Sequence, residues 1–72
     1  MNIPRSYTER LLLLSSSVTV SQASFHYDRA CGYLECLLDL NAISAEQFHA
    51  LSQAARELYK DTAKSLNKGA AA

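Results

Sequence analysis

The segment Ile43-Ser44-Ala45-Glu46-Gln47-Phe48 constrains this chain more than any other. It has the form of a capping box: a serine whose hydroxyl can accept from the amide three residues on, and a glutamine there that can reach back. Ile43 before the cap and Phe48 at the fourth helical position are placed as a hydrophobic staple. Beyond them Phe48, Leu51, Ala55, Leu58, Thr62 and Leu66 recur in steps of three and four and make one narrow, mainly apolar face. A helix over about residues 45–67 follows. Gly69 is a natural stop, and Lys64 and Lys68 suit the negative end of the helix dipole. The last residues, 69–72, are expected to fray.

Upstream, Ala23, Tyr27, Ala30, Cys31, Leu34, Leu37 and Leu38 fall within about 60° of Leu34 on a helical wheel. A helix over about 22–41 is expected, beginning near Ser21 or Ser24 and ended by Asn41 in the left-handed conformation that asparagine tolerates. With about three residues between them the two helices should fold back as an antiparallel hairpin. Gly32 costs this helix roughly 1 kcal/mol relative to alanine. It lies far from the core line of Leu34, so close internal packing does not explain it; close approach of another chain would.

In the first 21 residues Ser6-Tyr7-Thr8-Glu9 offers a second capping box, and Tyr7, Leu11 and Leu14 share a face. A shorter helix over about 5–15 is predicted. The run from Ser15 to Ser21 is rich in poor helix formers and reads as a linker, with one long helix through the serines as the rival. The expected fold is all-α: a single small domain spanning 1–72, a three-helix bundle, with a dimer left open.

Size sharpens the question of what stabilises it. A chain of 72 residues buries only about 60% of the surface it exposes when unfolded. Small domains compensate with disulfides, metals, tight helix packing or association. Cys31 and Cys36, five residues apart on one helix, lie about 140° apart around its axis and cannot bridge each other. They read as reduced, small apolar residues of a cytoplasmic protein, with a bridge between two chains as the alternative. His26 and His49 are isolated, so no metal site is expected where zinc would need about four converging ligands. Packing and self-association remain.

Seven basic and seven acidic residues give zero formal charge, which argues against a dedicated nucleic-acid binder. Glu9 and the serines after Leu14 spoil the pattern of a signal peptide, and no apolar run approaches the roughly 20 residues of a membrane span.

Candidate sites follow from the faces left over. His26, Tyr33, Cys36 and Leu40 form an apolar shoulder beside the core face of the second helix. Either the first helix covers it or another chain, identical or foreign, does. Asp28, Glu35 and Asp39 gather on the opposite side. Carboxylates four apart occur in di-iron helices, but the Glu-x-x-His partners are missing, so a solvated face is expected. Arg56, Lys60, Lys64 and Lys68 make a slanting basic ridge, in which Glu57 and Asp61 can pair with Lys60 and Lys64. The ridge is a solvated face or a contact for an anionic partner. No Gly-x-Ser-x-Gly elbow or cysteine–histidine signature appears. No catalytic residue, cofactor or small-molecule substrate is expected.

The stretch from Gly32 to Phe48 resembles a widespread helical-hairpin pattern: apolar helix, short turn, apolar residue, serine or threonine, acid, aromatic. Short oligomerisation hairpins appended to bacterial proteins share it, as do many small phage and plasmid proteins. The resemblance implies a bacterial or phage origin. Taken together, the expected function is that of a protein-binding adaptor or inhibitor. A small dimeric nucleic-acid-binding regulator using the basic ridge, or a structural subunit of a larger assembly, are the alternatives.

Overall fold

The first helix starts where proline leaves off. The computed structural model describes residues 3–71, and the side chains of residues 3–68. In it α1 spans Arg5–Ser15, α2 Val20–Asp39 and α3 Ala45–Ala71. Pro4 stands at the N-cap of α1 without a side-chain cap; its carbonyl accepts from the Tyr7 amide at 3.0 Å. The capping box expected at Ser6 therefore does not form, because Ser6 already lies inside the first turn. Glu9 pairs instead with Arg5, at 3.5 Å.

Serines end α1 by competing for its last carbonyls. The Ser15 hydroxyl donates to the Leu12 carbonyl at 3.1 Å and that of Ser17 to the Leu13 carbonyl at 3.0 Å, while Ser16 also donates to Leu12. The linker is shorter than expected, because α2 opens earlier. Thr19 is its N-cap: its Oγ1 accepts from the Gln22 amide at 3.1 Å, and Gln22 Oε1 accepts from the Val18 amide at 3.1 Å. Thr19 and Gln22 thus cap the helix much as a capping box does, except that Gln22 takes the amide of Val18, one residue before the cap, and the helix start moves ahead of Ser21 and Ser24. Two separate helices, not one long one, occupy residues 5–39.

α2 ends as its asparagine dictates. Asn41 has φ 59°, in the left-handed region. Its amide donates to the Leu38 carbonyl at 3.0 Å and that of Ala42 to the Leu37 carbonyl at 2.8 Å, the paired bonds of a Schellman motif. The turn delivers the chain to Ser44, where the expected capping box is present. The Gln47 amide donates to Ser44 Oγ at 3.1 Å and the Ser44 amide to Gln47 Oε1 at 2.8 Å. Ile43 is buried and Phe48 packs against the same cluster, which completes the staple. Ser44→Ala should cost about 1 kcal/mol of stability. Thr19→Ala should cost a similar amount, measured by urea denaturation; two neutral results would mean that neither cap anchors its helix.

α3 does not stop at Gly69, and the tail expected to fray is helical as far as Ala71; Ala72 lies outside the described residues. Glycine weakens a helix by about 1 kcal/mol without forbidding it, and the alanines beside it are the best helix formers. At 27 residues and about 1.5 Å per residue, α3 sets the long dimension of the molecule, 45 × 19 × 16 Å.

The core follows the predicted faces. Tyr7, Leu14, Ala23, Ala30, Leu34, Leu37, Ile43 and Ala55 are buried. Leu11, Tyr33, Leu38, Phe48 and Leu51 close around them. All three helices touch one another, α1 and α3 least.

Candidate functional site

The apolar shoulder of α2 is divided by α1. Tyr33 is half-buried against the core. Its ring stacks on that of Tyr7 at 6.4 Å, and the Arg10 guanidinium lies 4.9 Å from its centroid. His26 is half-buried and meets Phe25 edge-on at 5.3 Å. Cys36 is exposed and Leu40 is 72% exposed. α1 therefore covers Tyr33 and leaves Cys36 and Leu40 open. The four residues do not form one surface.

Other apolar side chains are also open. Phe25 is 54% exposed, and Leu12, Leu13 and Val18 are exposed around the end of α1 and the start of α2. Sequence reasoning passed over Phe25, although its position diametrically opposite Leu34 on the wheel is a usable signal. Its ring carries the Arg29 guanidinium at 5.5 Å. Leu12 and Leu13 were hidden inside a four-leucine run, where the buried Leu14 and half-buried Leu11 look the same as their neighbours.

Arg56, Lys60, Lys64 and Lys68 are all exposed on α3. Lys60 approaches Glu57 at 3.9 Å, with both side chains more than half exposed, a pair that contributes little. The pairing expected between Asp61 and Lys64 is not among the ion pairs of the described residues. Asp28, Glu35 and Asp39 are exposed and form no ion pair there either.

Two shallow clefts, about 280 and 200 Å³, open on the surface. The first runs between the serine linker and Asp61, Thr62, Ser65 and Leu66. Most of its hydroxyls are already committed to helix carbonyls, Thr62 to that of Leu58 at 2.8 Å. The second is lined by Tyr27, His49, Ser52, Gln53 and Arg56. Tyr27 stacks on Tyr59 at 5.0 Å. Its hydroxyl is pushed above the usual 10.0 by a hydrogen bond with Cys31, and then by burial. Among the described residues no three His, Cys, Asp or Glu side chains stand together to hold a metal ion. No helix there is long and apolar enough to cross a membrane. Comparison with protein-family models, with curated proteins and with solved structures finds no match to this chain.

Proposed function

We propose that this chain is a non-enzymatic protein-binding module, an adaptor or inhibitor working in the reducing cytoplasm, built on an antiparallel α2–α3 hairpin that α1 braces. The observation that carries the reading is the number of large apolar side chains left open: Leu12, Leu13, Val18, Phe25 and Leu40 are each more than half exposed. Side chains of this kind supply most of the energy of ordinary interfaces. The hairpin geometry is supported by the short turn between Asp39 and Ala45 and by the stack of Tyr27, well before that turn, on Tyr59, well after it.

The test is direct binding of a partner identified by capture from the native host, with Leu12→Ser, Leu13→Ser as the control. The double variant should keep its helical spectrum and lose the partner; undiminished binding would exclude this surface. A second reading, nucleic-acid binding by the basic ridge, is favoured by Arg56, Lys64 and Lys68, which are exposed and absent from the ion pairs of the described residues. Salt separates the two, since phosphate contacts make affinity fall steeply with ionic strength.

A further inference from the structure

Gly32 is the position in this fold that the monomer does not explain. It sits inside α2, where glycine weakens the helix, yet a Cβ built on it would meet nothing within 4 Å. No internal neighbour demands the small residue. Taking Leu34 as the core line at about 100° per residue, Phe25, Gly32 and Cys36 lie within about 20° of the opposite line. With Arg29 they run along α2 in steps of four, three and four, the spacing at which one helix meets another. All four are exposed.

The flanks of this line carry opposite character. Asp28, Glu35 and Asp39 lie on one side, at about 100° to 140° from the core line. Arg29 and Leu40 lie on the other, at about 220° to 240°, and beyond them α1 places Arg10 over Tyr33. Among the described residues Arg29 is the one cation beside this face, and the carboxylate nearest to it in height, Asp28, stands on the opposite edge, so a second copy can offer each Arg29 a carboxylate. The direction of pairing follows from the charges. Antiparallel copies would set each edge against its own copy, three carboxylates against three. Parallel copies, related by a two-fold axis along the helices, set the acidic edge against the Arg29 edge twice.

Resting on the reading of this chain as a protein-binding module, we infer that the occupant of α2's exposed face is a second copy of this chain, docked parallel through Phe25, Gly32 and Cys36. Gly32 then faces its own copy and lets the backbones approach, which accounts for a residue otherwise unfavourable in the helix. Arg29 of each protomer faces Asp28 of the other. Phe25 and Leu40 lose their exposure at the two ends of the seam. One turn from Gly32, Cys36 stands against its own copy, where parallel helices in close contact fall within the Cα separation that a disulfide spans, about 4.4–6.8 Å. Cys31, half-buried and about 60° from the core line, stays away from the seam.

Sedimentation equilibrium of the reduced protein, from low micromolar to millimolar concentration, should show a monomer–dimer equilibrium. Gly32→Glu should weaken it at least about tenfold. Gly32→Ala should raise the helicity of the dilute protein, because alanine is the better helix former and a Cβ there meets nothing within 4 Å. Diamide, a two-electron oxidant that takes up both thiol protons as the S–S bond forms, should convert wild type and Cys31→Ser to covalent dimers and leave Cys36→Ser monomeric on a non-reducing gel. A wild type that stays monomeric throughout overturns the dimer, and leaves the foreign-partner reading to its own binding test. A dimer that Gly32→Glu leaves intact, or that diamide fails to trap through Cys36, overturns the parallel α2 seam.

Discussion

Leu34→Ala should lose roughly 2–5 kcal/mol of unfolding free energy, the range for deleting a buried leucine side chain and leaving a cavity. Leu34 has no exposed surface and belongs to the cluster that joins Tyr7 of α1, Ala30 and Leu37 of α2 and Ile43 of the turn. Collapse into the hole is hindered because three separate elements would have to shift together. Domains of this size hold their fold by only about 5 kcal/mol or slightly more, so the variant stands near the edge of folding. A melting temperature lowered by about 10 °C or more is expected at this chain length. Leu34→Met, which conserves volume, should cost less than about 1.5 kcal/mol. Both are best measured in dilute reduced protein, where association adds nothing to stability. An Ala variant that melts with the wild type would mean that Leu34 is not at the centre of the core.

Leu34 was legible because its neighbours repeat with the helical period. The same holds wherever local chemistry decides. The box at Ser44, the staple of Ile43 and Phe48 and the left-handed Asn41 all stand within a few residues of their partners, and each forms as expected. The misses have two origins. Thr19 and Gln22 have the residue types and spacing of Ser44 and Gln47, but Ser21 and Ser24 nearby are equally good caps by type, and only geometry chooses among them. At α1 the reverse occurred. Ser6 and Glu9 have the residues of a box, and Pro4, with its fixed φ, starts the helix first. The candidate site was less legible for a tertiary reason. Periodicity shows that α2 is apolar beyond one face; it does not show where α1 lies across it. The stack of Tyr7 on Tyr33 settles which part of the shoulder is covered, and that contact joins residues 26 positions apart.

Tyr7→Ala should be at least as damaging as the change at Leu34, at about 3–5 kcal/mol by comparison with other deletions of buried aromatic rings. Tyr7 is 1% exposed and is the residue through which α1 holds both other helices. Its ring packs on Tyr33 of α2, and its hydroxyl donates to the Leu51 carbonyl of α3 across 3.5 Å. Without it α1 keeps Leu11 and Leu14 but loses its only aromatic anchor. A helix of 11 residues is marginal in water on its own, so helical signal should fall as well as stability. Tyr7→Phe separates ring from hydroxyl. The ring stays, the long hydrogen bond goes, and the loss near neutral pH should be no more than about 1 kcal/mol. Alkaline pH then distinguishes the two proteins. Burial, and secondly the proximity of Cys31, raise the Tyr7 hydroxyl above its usual 10.0, so the folded chain holds this proton more tightly than the unfolded one. That contribution is complete below pH 10 and is lost as pH climbs toward the raised value, because ionisation then favours the unfolded chain. Wild type should therefore lose more stability than Tyr7→Phe above pH 10 in urea denaturation. Tyr27, raised as well, is present in both proteins and cancels. Parallel decline of the two proteins would mean that the Tyr7 hydroxyl is in contact with water and α1 is not seated on α2 and α3.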